Sequence, residues 1–576
     1  MNQLSSMAAF PWLTTLGLIP LVGSVVLLVL RQSAAGRQIA LAFSLATAAL
    51  AIVIAFQFDT GSAAQFQLAE QHDWIPQFGV SYALGVDGMA LTMIVMSAIL
   101  VPICILAAWH DIPEGGPRQN TYFAWMLLLE VFMIGVFAAT DVFLFYVFFE
   151  AMLVPVYFLI GSYGGPRRNA AAMKFLLFSL AGGLIMLVAV IGLYFQGPRG
   201  NTGFLVESLT GLQIPGLTQN LLFLGFFIAF AVKAPMWPVH TWLPDAAEQS
   251  KPATAVLLVG VLDKVGTYGM IRFCLQLFPE ASQWATPVVI GLALISIIYG
   301  GVLAIGSQDM MRLIAFTSVS HFGFIVLGIF AMTHVSMSGS ILYMLNHGFS
   351  TAALFLIAGM LIQRGGSPLI RDYGGWQRIT PVLAGTFLVS GLSGLALPGL
   401  GSFVSEFLVM MGTFQRYPIV AAISSIGILL AALYILLWYQ RVFTGPKPGT
   451  QVIDVDGAAK LVGPDGRPIG AHDEHGTSGT HGAAGAAHAS GSSGAGATSL
   501  EADPAQTHRA AGLAGVRDLD LRERLVVAPL ILLFLVLGFF PKVALDVIDP
   551  AVTQTLTHVG VTDPAPAVGA LTGSAK

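Results

Sequence analysis

The chain contains fourteen long apolar segments with few or no charged residues. A helix of about 20 apolar residues crosses the roughly 30 Å of hydrocarbon in a bilayer. The segments lie near residues 11–30, 37–56, 89–109, 122–139, 141–162, 171–195, 220–243, 253–276, 285–305, 311–331, 338–362, 381–412, 416–441 and 524–545. Charged residues make up only 10% of the 576-residue chain, whereas a soluble domain has about 25%. The sequence therefore predicts an all-α polytopic membrane protein with about 14 transmembrane helices and excludes a soluble enzyme.

The Lys and Arg residues divide unequally between alternate loops. With the N-terminus placed outside, nineteen of the 26 fall in inside loops and five in outside loops, while Lys233 and Lys264 lie within apolar segments. Short loops rich in Lys and Arg stay on the cytoplasmic side of a membrane. The asymmetry therefore predicts an outside N-terminus, and an even number of helices places the C-terminus outside as well.

Two apolar segments are expected to be broken helices. Lys233 is followed by Pro235 and Pro238, and Glu406 is preceded by Pro398, Gly399 and Gly401. Interrupted helices at membrane depth expose backbone groups and are typical of ion or substrate paths in inverted-repeat transporters. Each interrupted helix is the fourth of a five-helix block, and an odd number of helices inverts the second block relative to the first.

The order of these segments predicts six regions. They are 1–121 with three helices and an outside loop, 122–276 as the first five-helix repeat, 285–441 as the second and inverted repeat, 445–517 as a disordered cytoplasmic loop, 524–545 as the last helix, and 546–576 as an outside tail. The loop is rich in Gly, Ala and His and lacks the large apolar side chains that a packed core requires. Its histidines are irregularly spaced, which favours a solvated linker over a metal site.

The cysteines and the basic residues exclude several functions. Cys104 and Cys274 lie far apart in apolar segments, so the chain has no cysteine cluster for zinc or an iron–sulfur centre. Any redox centre must therefore belong to a partner. The net charge of −4 and the scattered basic residues give no indication of nucleic-acid binding.

Four ionisable residues within apolar segments stand out: Glu150, Lys233, Lys264 and Glu406. A charge at the middle of a spanning helix costs roughly 2.5–3.5 kcal/mol on insertion scales, so it needs a partner, water or neutralisation. A single such residue could be a buried ion pair that fixes helix packing, or a lysine that reaches the interface. Four of them on four helices, two of each sign, favour an ion path.

Three histidines lie in or beside predicted helices, namely His240, His321 and His347. Imidazole can accept one proton and donate another, which suits a relay. A core histidine held by one hydrogen bond is an equally good interpretation of each. Asp263 precedes Lys264 and is expected on another face of the helix, so we do not pair the two. Asp141 and Asp245 are expected to cap helices or lie at the interface.

The most specific sequence stretches are FYVFFEAMLVPVYFLIG, VKAPMWPVHTWLPDA, LIAFTSVSHFGF, LNHGFSTAALFLIAGML and GSFVSEFL. On these stretches the chain resembles the antiporter-like membrane subunits of proton-pumping NADH:quinone oxidoreductase, respiratory complex I, which are related to Mrp sodium/proton antiporters. The resemblance runs from about Ser81 to Arg441 and resumes in the last predicted helix. Chains L and N of that complex typically have Lys at the broken twelfth helix, so Glu406 favours the chain M type.

The resemblance implies a role for each intramembrane residue. Glu150 and Lys233 correspond to the coupled pair of the first half-channel, Lys264 to the central relay and Glu406 to the outlet residue of the second half-channel. The family's histidines along its polar axis are matched by His240, His321 and His347.

The resemblance also implies the setting in which the chain works. It would be a proton-exporting subunit of NADH:quinone oxidoreductase in the cytoplasmic (inner) membrane of a bacterium, with no redox chemistry of its own. NADH, FMN, iron–sulfur clusters and quinone would be bound by partner subunits. Its partners would be the lipid bilayer and other membrane subunits of complex I, including neighbouring antiporter-like chains. Alternative interpretations are an Mrp-type antiporter subunit, a membrane subunit of a related hydrogenase complex, or a scaffold with buried ion pairs.

Overall fold

The computed structural model describes residues 7–113, 116–445, 451–453, 459–461 and 516–564. Helices dominate it. In chain order they are α1 (Trp12–Val29), α2 (Gly36–Gln57), α3 (Gly88–His110), α4 (Pro117–Ala138), α5 (Val142–Tyr163), α6 (Arg168–Gln196), α7 (Val206–Leu209), α8 (Gly216–Lys233), α9 (Trp242–Gln249), α10 (Pro252–Leu275), α11 (Pro279–Gly306), α12 (Met310–Ala331), α13 (His334–Gly365), α14 (Pro381–Gly394), α15 (Gly401–Arg416), α16 (Pro418–Phe443), α17 (Leu521–Phe539) and α18 (Lys542–Val559).

Within the described residues, twelve helices are long and apolar enough to cross a membrane, and the bent pair α17 and α18 makes a thirteenth if it counts as one span. This confirms the prediction of a polytopic helical protein. Helices α10 and α12 are buried on all sides, whereas α1, α2 and α6 expose apolar side chains. Val188 of α6, for example, is 71% exposed. Such a surface is suited to lipid or to another apolar helix.

Helix α8 ends at Lys233, and the chain continues without regular helix to the start of α9. Backbone groups freed by this break find side-chain partners. The Trp237 amide donates to Ser296 Oγ at 2.9 Å, and the Trp242 indole donates to the Val232 carbonyl at 2.9 Å. The interruption predicted from the two prolines is therefore present, and its polar backbone is satisfied by protein, as a membrane interior demands.

The segment predicted as one helix at 381–412 forms two, α14 and α15, because the chain turns at residues 395–400. Within this turn Gly399 has φ 94°, a left-handed conformation that suits glycine. The side-chain amide of Asn346 on α13 donates to the Gly401 carbonyl at 2.8 Å. Gly538 of α17 packs against the same turn, since a Cβ there would lie 2.3 Å from the Gly399 carbonyl oxygen.

The C-terminal region differs from the predicted helix at 524–545 and tail at 546–576. Helix α17 ends at Phe539, and α18 follows at an angle of 69°. Helix α18 lies against α3 and α13, where the Ser338 hydroxyl donates to Asp549 at 2.6 Å. Residues 565–576 of the predicted tail lie outside the described residues.

The outside loop predicted within residues 1–121 contains a β-hairpin, so the all-α prediction is incomplete. Strands β1 (Gln67–Ile75) and β2 (Val80–Val86) are antiparallel. Asp141 ties the hairpin to α5, because it accepts hydrogen bonds from the Ser81 amide at 3.0 Å and from the Phe143 and Leu144 amides at 2.9 Å. The capping role predicted for Asp141 is confirmed.

The predicted disordered loop at 445–517 is only partly covered. Two short strands, β3 (Gln451–Ile453) and β4 (Ala459–Leu461), pair antiparallel within it. Residues 446–450, 454–458 and 462–515 lie outside the described residues, so their predicted disorder stays a prediction.

Candidate functional site

The structure places the four predicted intramembrane charges on four different helices. Glu150 lies on α5, Lys233 at the end of α8, Lys264 on α10 and Glu406 on α15. Lys233 and Lys264 are completely buried and Glu406 is 4% exposed. Glu150 is partly exposed, but its Oε1 atom is buried. Because a buried charge is costly unless its neighbours balance it, those neighbours decide what each residue can do.

Lys264 contacts a backbone carbonyl and a histidine. Its Nζ atom lies 2.7 Å from the Val259 carbonyl oxygen and 2.7 Å from His347 Nδ1. Val259 belongs to a π-helical segment of α10, Leu257–Leu262, and precedes Lys264 by five residues. The wider turn of a π-helix occurs often at functional sites. Here the lysine side chain binds a carbonyl of that segment, which fixes the amine beside the imidazole.

From His347 the polar groups continue toward Glu406. The ring centroids of His347 and His321 are 5.3 Å apart. The Tyr343 hydroxyl lies 2.5 Å from His321 Nδ1 and donates to Glu406 Oε2 at 3.3 Å. We call the row Lys264, His347, His321, Tyr343 and Glu406 the polar axis. Its members are groups that can accept and donate protons, all buried at the centre of the molecule.

Glu150 and Lys233 interact electrostatically but are not in direct contact. Lys233 Nζ has no hydrogen-bond partner among the described residues. It lies 5.0 Å from the ring centroid of Phe149 and 5.6 Å from that of Phe175, so aromatic faces provide its nearest favourable contacts. Gly183 leaves room for the acid, since a Cβ at that position would lie 1.5 Å from Glu150 Oε1. The lysine is therefore buried without a fixed partner.

His240 is not part of the polar axis. It is buried, and its ring packs edge-on against Tyr299 at 5.3 Å. It lines a cavity of 490 Å³ together with Lys174, Asp245 and Arg312. Asp245 accepts hydrogen bonds from Lys174 and Arg312, both at 2.7 Å. Burial raises the pKa of Asp245, but these hydrogen bonds and charges outweigh it and hold the pKa below its ordinary value.

Sequence reasoning missed three buried polar residues, Tyr343, Tyr434 and Glu130, and considered Asp263 only as the chain neighbour of Lys264. The Tyr434 hydroxyl lies 3.1 Å from His321 Nε2, so both ring nitrogens of His321 have tyrosine partners. Tyr343 and Tyr434 gave no signal, because a tyrosine in an apolar helix usually packs by its ring. Asp263 and Glu130 are fully buried acids. Glu130 could have been found, since it is an acid within the apolar segment 122–139.

The pair of interrupted helices and the buried row of lysine, histidine and acid define an ion-translocating membrane subunit. Residues 139–431 match the family described as NADH:quinone oxidoreductase/Mrp antiporter, TM. Residues 18–136 match the family described as NADH-ubiquinone oxidoreductase chain 4, amino terminus. No group of three or more His, Cys, Asp or Glu that could hold a metal ion is found among the described residues.

Similar proteins identify the branch of this family. NADH-quinone oxidoreductase subunit M of Mycobacterium tuberculosis is 44% identical, with 97% of this chain and 96% of that protein covered. NADH-ubiquinone oxidoreductase chain 4 of Arabidopsis thaliana is 39% identical, with 75% of this chain and 86% of that protein covered. The chain belongs to the subunit M family of NADH-quinone oxidoreductases, as the acid at position 406 predicted.

Solved structures show the same fold. A chain of respiratory complex I from Thermus thermophilus superposes with a TM-score of 0.76 at 28% identity, covering 95% of this chain and all of that one. A chain of the Mrp complex from Dietzia sp. DQ12-45-1b superposes with a TM-score of 0.75 at 21% identity, covering 95% of this chain and 98% of that one. The second likeness is one of fold alone.

Proposed function

We propose that the chain moves protons from the inside to the outside of the membrane while partner subunits reduce quinone with NADH. The observation that carries this proposal is the polar axis, which joins Lys264 to Glu406 through groups that exchange protons. Exporting one charge against 100 mV costs about 2.3 kcal/mol. The chain supplies no source of that energy, so it comes from the redox reaction of the partners.

The polar axis supports a stepwise transfer. Lys264, protonated from the inside, donates to His347 Nδ1 across the 2.7 Å contact. His347 then releases its other ring proton from Nε2, which has no hydrogen-bond partner among the described residues. His321 accepts this proton at Nε2, where the Tyr434 hydroxyl changes from donor to acceptor, and passes the proton on Nδ1 to Tyr343, whose hydroxyl proton moves to Glu406. Glu406 releases the proton toward the outside, which restores its carboxylate and leaves Lys264 as the neutral amine, ready to be protonated again.

Lys233 and Glu150 control when Lys264 is loaded. An ammonium that moves closer to or farther from a carboxylate changes the electric field on neighbouring groups, and so changes which protonation state they favour. Lys233 Nζ has no hydrogen-bond partner among the described residues, so its movement breaks none of their hydrogen bonds. His240 and the 490 Å³ cavity around it form a polar entrance to this region on the inside.

The proposal includes the surroundings of the chain. NADH, FMN, iron–sulfur clusters and quinone are bound by partner subunits, and electrons do not enter this chain. Its partners are the lipid bilayer and the other membrane subunits of complex I, including neighbouring antiporter-like chains. It lies in the cytoplasmic (inner) membrane of a bacterium.

The proposed topology has fourteen crossings and both termini outside. The twelve long helices, the bent pair α17 and α18, and the interrupted helix formed by α14 and α15 together give this number. Residues 122–276 and 285–441 are two inverted five-helix repeats. Their support is that each contains one interrupted helix, with Lys233 beside the first break and Glu406 beside the second.

Inverted membrane vesicles test the proposed function. Adding NADH is expected to acidify the vesicle lumen, because the lumen corresponds to the outside face. The rate is expected to be the same in sodium buffer and in buffer with choline in place of sodium, since the polar axis carries protons only. A fluorescent pH indicator in the lumen measures both rates. Acidification that requires sodium would contradict the proposal and favour an Mrp-type sodium/proton antiporter.

A further inference from the structure

Asp263 is a fully buried acid without a hydrogen-bonded partner. It is 0% exposed, and neither carboxylate oxygen has a hydrogen-bond partner among the described residues. It follows the π-helical segment of α10 directly and precedes Lys264. A buried carboxylate normally accepts several hydrogen bonds, so one that accepts none needs another explanation.

The groups that act on Asp263 are two buried lysines. Asp263 adjoins Lys264 in the chain, and α10 packs closely against the end of α8 at Lys233, since a Cβ at Gly266 would lie 2.5 Å from the Ala234 amide nitrogen. Both lysines therefore attract the Asp263 carboxylate. Lys233 is attracted in the same way by Glu150 and by Asp263. The four residues therefore form a row of alternating sign: Glu150, Lys233, Asp263 and Lys264. Asp263 is the member of this row that links the first pair to the polar axis.

The charges of this row balance only when Asp263 is counted. Glu150 can offset one buried ammonium, and two ammonium groups in a low-dielectric interior require a second negative charge. His347 and His321 cannot supply it, since an imidazole is neutral or positive. Asp263 has the carboxylate that interacts electrostatically with both lysines among the described residues.

We propose that Asp263 is a positioning residue for proton transfer, whose carboxylate balances Lys264 and offers Lys233 an alternative to Glu150. This inference rests on the proposed function. While Lys264 is protonated, the Asp263 carboxylate is offset by it, and Lys233 favours Glu150. When Lys264 has passed its proton to His347, Asp263 loses that counter-charge and attracts Lys233 away from Glu150. Loss of the proton from Lys264 thereby separates Lys233 from Glu150.

Glu130 on α4 offers a matched control. It is also 0% exposed, and both its carboxylate oxygens are without a hydrogen-bond partner among the described residues. Helix α4 packs against α10, where the Tyr268 hydroxyl donates to the Phe137 carbonyl at 2.9 Å. Among the described residues, no charged neighbour interacts with the Glu130 carboxylate. Replacing it tests the loss of a buried acid without the loss of a counter-charge.

The test compares Asp263→Asn, Asp263→Glu and Glu130→Gln in the complete complex, with assembly measured on a native gel and proton translocation in sealed vesicles. Asp263→Asn is expected to assemble and to translocate protons roughly tenfold more slowly, because protonated Lys264 loses the negative charge that stabilises it. Asp263→Glu restores the charge and is expected to recover most of the rate. Glu130→Gln is expected to stay within about twofold of the unchanged protein, since its replacement removes no counter-charge of a described neighbour.

Equal rates for Asp263→Asn and Glu130→Gln would overturn the inference, as would an Asp263→Glu variant as slow as Asp263→Asn. If Asp263→Asn fails to assemble, Asp263→Ala is the second variant, because it removes the carboxylate without leaving a buried amide unpaired. The same tenfold loss is expected of it. If only the expected results for Asp263 fail, the proposed function still holds. Normal proton translocation after replacement of Lys264 would contradict the proposed function itself.

Discussion

Lys264→Arg is expected to assemble into the complex and to lose proton translocation by roughly 100-fold, the lower range for removal of an acid–base group. Arginine keeps the buried positive charge but does not deprotonate in a protein. A fixed counter-ion needs only the charge, whereas the polar axis requires Lys264 to give its proton to His347 at 2.7 Å. The measurement is the rate of NADH-driven proton translocation in sealed vesicles, with assembly checked on a native gel.

Arginine is also larger and planar, so a steric effect needs a control. Lys233→Arg is suitable, because Lys233 is equally buried but is proposed to act by its charge and movement. We expect it to retain more translocation than Lys264→Arg. A fully assembled Lys264→Arg complex that pumps at a nearly normal rate would show that deprotonation at this position is unnecessary, and Lys264 would then be a fixed counter-ion.

Glu406→Gln is expected to stop proton release at the outer end of the polar axis. Glutamine has nearly the same shape and can still accept the hydrogen bond that Tyr343 donates at 3.3 Å, but it cannot accept the proton. We expect translocation to fall by roughly 100-fold, while Glu406→Asp retains part of it. The same vesicle assay measures both.

Glu130→Gln serves again as the control, because it removes a fully buried carboxylate that has no hydrogen bond to, and no electrostatic interaction with, a described residue of the polar axis. If Glu406→Gln and Glu130→Gln reduced the rate equally, the loss would be a general effect of removing a buried acid. Glu406 would then not be the outlet of the path.

Hydropathy and helix-breaking residues predicted most of the fold. Long apolar segments fixed where the helices lie, because a bilayer leaves the backbone few alternatives. The breaks after Lys233 and before Glu406 followed from proline and glycine in apolar surroundings. The same reasoning did not find the β-hairpin, since the segment Gln67–Val86 was judged by its charges and not by the alternation of its strands. It also did not find the bend between α17 and α18, which depends on packing against α3 and α13.

The sequence predicted the ionisable residues of the candidate site but not the contacts that join them. Lys264, His347, His321 and Glu406 lie together, as expected of residues on one path. Tyr343, which connects two of them, could not be chosen, because a sequence does not show which of several tyrosines faces a histidine. Their roles in proton transfer remain predictions. Asp263 was assigned to another helical face than Lys264, which correctly excluded a hydrogen bond but overlooked an interaction that acts without contact.

His240 lies apart from the other two histidines. Sequence and family resemblance grouped it with His321 and His347, yet it lies in the cavity beside Asp245 and Arg312. Position along the chain could not separate these histidines, since all three lie in or beside apolar helices. The distinction depends on how α9 packs against α12, which is a contact between helices distant in sequence.

The central claim is that protons follow the polar axis through this chain. Tyr343 tests it best, because the path from His321 to Glu406 runs through its single hydroxyl group. Its hydroxyl is the group that connects His321 Nδ1 to Glu406. Tyr343→Phe removes one oxygen atom and leaves the ring in place. Tyr268→Phe is the control, because Tyr268 is equally buried but its hydroxyl donates to the Phe137 carbonyl and accepts from Arg272, neither of which is a member of the axis.

The most direct measurement is the rate of NADH-driven proton translocation by these two variants in sealed vesicles, normalised to assembled complex. The proposed path predicts that Tyr343→Phe pumps about tenfold or more slowly, as expected when a group that transfers a proton is removed. It predicts that Tyr268→Phe stays within about twofold of the unchanged protein, since its hydroxyl bonds the Phe137 carbonyl and Arg272, neither of which belongs to the axis, and such losses affect stability only modestly. Equal and nearly normal rates for both variants would contradict a path through Tyr343.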